Sequence, residues 1–305
     1  MVYQRTIAKE IQFTGIGIHS GRKVNLKLSP AKAGVGVVFK RVDVLDSGWQ
    51  KADANSVGAT SNNTTLGSGV DAIHTVEHLL AAFYGLGINN IYCEIDGPEV
   101  PIMDGSSGSF IFILKETGVQ NLNETKQFMV IMDTVRVEHE GKWAQIEPCD
   151  RLLIDSTIVF AHPIIKTQRQ VFEFSCENFI NEISRARTFG MLKDVDMLKR
   201  MGLVKGGSLD NAVVLDDFKV VNPEGLRFED EFVRHKILDT IGDISLLGYE
   251  VVGKITTYKS GHHLHNELCK KILSNKDNYE IVSAANLTQG VRQAHLLPQA
   301  IPVIN

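Results

Sequence analysis

No two of the four cysteines fall in a C-x-x-C motif: Cys93, Cys149, Cys176 and Cys269 are widely spaced. The spacing argues against a structural zinc cluster and against a disulfide framework, and it suits a reducing compartment. Positive charge is also lacking. A formal charge of −4 at pH 7 gives no electrostatic case for nucleic acid. Isolated lysines and arginines could still grip one phosphorylated small molecule, which takes local charge and not a basic face. No apolar run approaches the ~20 residues needed to cross a bilayer. The opening Met1-Val2-Tyr3-Gln4-Arg5-Thr6-Ile7-Ala8-Lys9-Glu10 has no signal-peptide core. The expectation is a cytoplasmic protein.

What is present is 305 residues, 43% hydrophobic and 22% charged, enough for one large domain or two ordinary ones. Residues 12–19 and 23–29 alternate polar and apolar positions around a His19-Ser20-Gly21-Arg22 turn, and 34–41 adds a further β-rich run. A polar stretch, 56–69, leads to a helix over 74–84 that ends at Gly85-Leu86-Gly87, followed by a buried strand over 88–95. Serines of Met103-Asp104-Gly105-Ser106-Ser107 are placed to cap an apolar helix over 109–117. Residues 120–127 lose apolar periodicity and read as a linker.

The second half repeats the order: strands over 130–139, 142–148 and 152–160, an interruption, a helix over 231–246 and a strand over 250–258. The fold class is therefore expected to be α+β: two topologically similar domains, each a β-sheet layer packed on helices, with an insertion in each. The expected divisions are 1–123, 124–275 and a C-terminal tail, 276–305, that carries no chemistry. Two such layers face to face would bring the long helices, and the active site, to their interface.

Those helices carry the chemistry. His235 and Asp239 lie four residues apart, so imidazole and carboxylate point the same way. The pair reads either as a solvated contact or as two metal ligands. Upstream, His74-Thr75-Val76-Glu77-His78 adds histidines beside a glutamate. Three protein ligands and a water make a catalytic zinc site, with a nearby glutamate as base. The same five residues also fit H-x-x-E-H, in which both histidines bind metal. The interruption at 188–211 mixes Met191, Leu192, Val195, Met197, Leu198 and Met201 with a Gly206-Gly207-Ser208 turn. It reads either as satellite core packing or as a wall for a flexible alkyl chain, and periodicity does not choose between them.

Six ordered motifs then converge: Thr75-Val76-Glu77-His78, Met103-Asp104-Gly105-Ser106, Ser184-Arg185-Ala186-Arg187-Thr188-Phe189-Gly190, the run from Leu226 to Lys236, Asp239-Thr240-Ile241-Gly242-Asp243, and Tyr258-Lys259-Ser260-Gly261-His262. Together they resemble the UDP-3-O-acyl-N-acetylglucosamine deacetylase family, zinc amidases of lipid A biosynthesis in Gram-negative bacteria. The resemblance runs from Gln4 to about Lys271. It implies one catalytic Zn2+ on His78, His235 and Asp239, with Glu77 as general base. It further implies His262 as the protonated partner of the oxyanion or leaving amine, Asp243 as its orienting carboxylate, and Thr188 and Lys236 in the oxyanion region. Substrate contacts implied are Phe160 for uracil, Lys259 for phosphate and Phe189 near the glucosamine ring. Met191, Leu192, Val195, Leu198, Gly207 and Ser208 fall in the implied passage for the 3-O-acyl chain.

The resemblance thus implies an acylated UDP-sugar as partner, a monomer, and at most transient contact with the inner membrane surface. His74 becomes an outer-shell or substrate-side residue. Asn63 and Thr65 stand where some members carry cysteines, so thiol binding of a side metal is not expected. Two competitors remain. The H-x-x-E-H peptidase reading leaves His235, Asp239, Lys259 and His262 without a role, and a non-catalytic UDP-sugar binder is opposed by a competent residue at every catalytic position.

Overall fold

The computed structural model describes residues 2–286, and within them the chain is α+β. In the first half, a five-stranded sheet runs in the order Ile11–Ile16, Lys23–Pro30, Ile91–Ile95, Val37–Arg41, Gln50–Lys51. Its period of two is visible in Lys23–Pro30, where Val24, Leu26 and Leu28 are buried and the residues between them are not. The second half holds a seven-stranded mixed sheet built around Glu250–Tyr258, which pairs antiparallel with Lys142–Glu147 and parallel with Gln127–Ile131 and Leu152–Val159. One continuous apolar core includes Leu26 and Phe39 from the first half and Ile237 and Ile255 from the second.

Several expectations change. The stretch read as a linker is a strand, Val119–Thr125, antiparallel to Tyr3–Ile7. Most of its residues are exposed or half-buried, so this two-stranded ribbon had no apolar period to display. The run over 130–139 is two strands, Gln127–Ile131 and Val135–His139. Of the tail, 276–305, the strand Tyr279–Ser283 pairs with Gln127–Ile131 and completes the sheet, while 287–305 lie outside the described residues. Ser107 holds the N-cap of the helix Gly108–Thr117 without a side-chain capping bond, although the Ser106 hydroxyl before it accepts from Gly108 N at 3.1 Å. Ser107 instead donates to His78 O at 2.7 Å, tying that helix start to the ligand helix.

The helix read over 74–84 begins at Glu77 and not at His74. Thr75 has φ 58°, which breaks any helical register, and His74 forms a parallel bridge to Glu99. Every residue of Glu77–Leu86 is buried, and the helix lies against Glu231–Ile244. Glycine inside a helix ordinarily costs up to ~1 kcal/mol, but Gly242 has a steric reason. A Cβ there would stand 2.2 Å from Glu77 O, so the two helices touch backbone to backbone.

Replacing Gly242 with Ala should therefore push the helices apart, costing ~1–3 kcal/mol of stability by overpacking. A urea titration would measure the loss, and wild-type stability in that variant would mean that the crossing tolerates a methyl group.

Candidate active site

His78 sits in the first turn of Glu77–Leu86, while His235 and Asp239 stand one turn apart on Glu231–Ile244. All three are buried, and one donor atom from each lies within 4.8 Å of the others. His78 Nε2 is 3.5 Å and His235 Nε2 3.3 Å from Asp239 Oδ1. That oxygen is buried without a hydrogen-bond partner, whereas Oδ2 accepts from Lys236 Nζ at 2.7 Å. An orphaned carboxylate oxygen facing two imidazole nitrogens is what a cation site requires, so these residues could hold a divalent metal.

The protonation states suit such a role. Burial drives the His235 imidazole down to about 3 despite the neighbouring Asp239, which keeps it neutral. Its Nδ1 lies 3.0 Å from Ala186 O; donating there leaves the Nε2 lone pair facing Asp239. The Ala186 carbonyl is itself held, because the next residue, Arg187, donates through N, Nε and Nη2 to the buried Glu231 at 2.8–3.1 Å. Burial opposes ionisation of Asp239, but His235 and Lys236 hold its carboxyl well below the usual range.

Glu77 adjoins this cluster. Burial raises its carboxyl, Thr64 N donates to Oε2 at 3.0 Å, and Oε1 lies 4.0 Å from His262 Nε2. His262 opens the helix His262–Ser274 and places Nδ1 2.8 Å from Asp243 Oδ2. Burial alone would lower its imidazole, but Asp243, with Glu77 and Asp239, raises it to about 9. The Asp243 carboxyl, in turn, is held far below the ordinary carboxylate range against its burial, chiefly by His262 and His265. The site thus sets the Glu77 carboxyl, raised by burial, beside an imidazole that Asp243 holds in its protonated form.

The other anticipated residues fall in three places. Phe189 borders the cluster: its ring is 6.2 Å from His235 and 5.5 Å from Phe160, with Lys236 Nζ 5.7 Å above it. Thr188 is half-buried beside them, its N donating to Gly105 O at 2.8 Å. Lys259 lines a pocket with His262, and Lys142, His139 and His263 share that lining. Met191, like Phe160 and Phe189, packs against a buried cluster that includes Val213 and Phe232, but the helix Leu192–Arg200 that follows buries none of its residues. Val195 and Leu198 are half-buried and Leu192 is 50% exposed. Gly207 and Ser208 lie in the next turn, where Gly206 N donates to Ile18 O at 3.0 Å.

Sequence reasoning missed four residues. His265 shares Asp243, with Nδ1 2.7 Å from Oδ2, and its three-residue spacing from His262 on one helix was a usable signal. Thr64 donates its hydroxyl to Asp243 Oδ1 at 2.6 Å from 179 positions away, which no local pattern announces. Lys142 and His139 reach the pocket only through strand pairing. His74 stays outside the cluster, its Nδ1 2.9 Å from Thr65 Oγ1. Asp243, His262 and His265 also gather ligand-type atoms, but both imidazole Nδ1 atoms stand at hydrogen-bond distance from one oxygen and are satisfied there.

The sequence agrees with one family throughout. The family model described as LpxC, UDP-3-O-acyl N-acetylglycosamine deacetylase, matches residues 4–274. Proteins named UDP-3-O-acyl-N-acetylglucosamine deacetylase are similar over nearly their whole lengths. That of Haemophilus influenzae (strain PittEE) is 47% identical over 305 residues, 99% of each chain. Those of Sodalis glossinidius (strain morsitans) and Methylococcus capsulatus (strain ATCC 33009 / NCIMB 11132 / Bath) are 46% and 48% identical, each over 93% of this chain and 94% of the other.

The geometry separates the two candidate ligand sets. His78→Ala, His235→Ala or Asp239→Ala should each weaken divalent-metal retention at least as much as the ~10–100-fold typical of losing an outer-sphere partner. His74→Ala should keep near-stoichiometric metal. Elemental analysis of the purified variants decides it, and the reverse order would favour a histidine pair within 74–78.

Proposed function

The chain belongs to the UDP-3-O-acyl N-acetylglycosamine deacetylase family, and from that premise we propose that it hydrolyses the N-acetyl group of UDP-3-O-acyl-N-acetylglucosamine. The products are acetate and UDP-3-O-acyl-glucosamine, in an early step of cytoplasmic lipid A biosynthesis. The observation that carries the reading is the buried cluster in which His78, His235 and Asp239 converge beside Glu77 and the Asp243-paired His262. Zinc is the proposed ion, since two imidazoles and a carboxylate are its usual hydrolytic donors, and when bound it supplies Lewis-acid polarisation and acidifies water.

Glu77 takes a proton from the attacking water, a task for which a carboxyl raised by burial is suited. His262, protonated at neutral pH, delivers a proton to the departing amine nitrogen. Asp243 keeps that imidazole charged and turned, and Lys236 and Thr188 orient the amide carbonyl. Lys259 and Lys142 suit the diphosphate, Phe160 and Phe189 offer aromatic faces to uracil and sugar, and the helix Leu192–Arg200 offers uncovered apolar residues to the 3-O-acyl chain. Contact with the lipid-bearing surface is proposed as transient and the working unit as a monomer; no helix among the described residues is long and apolar enough to cross a membrane.

The peptidase alternative is disfavoured by the break at Thr75, which takes His74 off the helix that carries Glu77 and His78. A silent UDP-sugar binder would bind substrate without releasing acetate.

Glu77→Gln should retain zinc and lose ~10²-fold or more in turnover, since the base goes while the ligands stay. Acetate release from the UDP-sugar, measured beside metal content, tests this; metal loss equal to that of His78→Ala would sink the division of roles.

Rate should also follow a bell in pH. It falls on the acid side as Glu77 takes up a proton, and on the alkaline side as His262 loses its own near pH 9. Removing the Asp243 charge withdraws what holds the imidazolium, so Asp243→Asn should bring the alkaline limb to lower pH and leave the acid limb nearly in place. An unmoved alkaline limb would assign that limb to another group.

A further inference from the structure

Behind His262 lies a second imidazole that the proposed mechanism does not use. His265 follows His262 by three residues on the same helix and is buried. Its Nδ1 lies 2.7 Å from Asp243 Oδ2, the same oxygen that His262 Nδ1 meets at 2.8 Å. An ionised carboxylate only accepts, so both Nδ1 atoms must carry hydrogen and donate. The far side of the His265 ring is committed as well, because Nε2 faces Ser260 Oγ at 2.9 Å, a hydroxyl able to donate to it. Thr64 fills Oδ1 at 2.6 Å. Asp243 therefore receives three side-chain donors. In the His262 ring, Nδ1 is spent on Asp243 and Nε2 is left toward Glu77.

Resting on the reading of His262 as the acid, we propose that His265 is a positioning residue for the deacetylation: by sharing Asp243 Oδ2 it fixes the rotation of that carboxylate and weakens its hold on the His262 proton. A carboxylate that accepts one more hydrogen bond is a weaker base toward its other partners, so a donor at His265 makes His262 easier to deprotonate than Asp243 alone would. The groups around the His262 ring come from three helices. Glu77 is on the first ligand helix, Asp239 and Asp243 are on the second, and His265 and Cys269 share its own helix, where Cys269 Sγ approaches Asp243 O. Lys142, His139 and Lys259 line the pocket at its mouth. Of these, only Asp243 bonds both imidazoles, so His265 acts on the acid through it.

The test uses the full-length, metal-loaded protein. His265→Leu removes the donor at similar volume; the alkaline limb of kcat/KM should move up by ~0.3–1 pH unit, with kcat lower by ~3–10-fold and KM changed less than ~2-fold. His265→Asn can still donate through Nδ2 and should return most of the limb position and of kcat. An alkaline limb unmoved in His265→Leu, or equal defects in the Leu and Asn variants, would overturn the proposal in favour of simple packing. Should the Leu variant not fold, 15N chemical shifts of the wild-type histidines decide on their own. His265 with hydrogen on Nδ1 and a bare Nε2 supports the proposal, and hydrogen on Nε2 alone overturns it. Failure of the underlying reading looks different: His262→Ala would then keep the descending limb, whatever the tautomer of His265.

Discussion

The site depends on one backbone contact. Gly242, inside the helix Glu231–Ile244, lets Glu77 O approach to where a Cβ would stand, and this sets the distance between the two ligand helices. Residue pairs either side of that crossing then meet without long side chains: His78 reaches Asp239, and Glu77 comes beside His262, the imidazole partnered by Asp243. Short reach limits the rotamers available, so donor positions follow from helix geometry more than from side-chain choice. The Ser107 hydroxyl on His78 O and the Arg187–Glu231 pair fix the neighbouring segments to the same two helices.

From that crossing follows the electrostatic balance. His235, Asp239 and Asp243 are spaced by four on one helix and form a stripe along a single face. Two carboxylates on one buried stripe, facing Glu77, would be costly if left alone. Lys236 on Asp239 and His262 with His265 on Asp243 supply the donors and the charge that hold both ionised. Among the described residues Glu77 has one backbone donor and no cation within direct hydrogen-bond distance, and this difference in partners leaves its carboxyl raised while the other two are held low.

How much of this could be read from the chain varies with the physical origin of each feature. The convergence of His78, His235 and Asp239 was legible because helical spacing and ordered motifs carry these residues, and Glu250–Tyr258 was legible because a buried central strand is apolar. The start of the helix Glu77–Leu86 was not, since nothing local to His74-Thr75-Val76 announces the positive φ of Thr75 or the bridge between His74 and Glu99. The strand Val119–Thr125 lacked a signal because it has little buried face. Thr64, Lys142 and His139 reach the site through tertiary pairing, and nothing local to them marks it. The exposed apolar residues of Leu192–Arg200 show a pattern that sequence could supply but whose covering it could not name.

The strand Tyr279–Ser283 has a consequence for the life of the chain. It lies along the outer side of Gln127–Ile131, whose Phe128 and Met129 are fully buried and which would otherwise end the sheet with open amides and carbonyls. During synthesis that edge stays uncovered until residue 283 has emerged, long after both ligand helices are complete. A nascent or clipped chain ending before residue 279 would expose an apolar edge to other chains, so damage there is expected to surface as aggregation, with the ligand residues themselves intact.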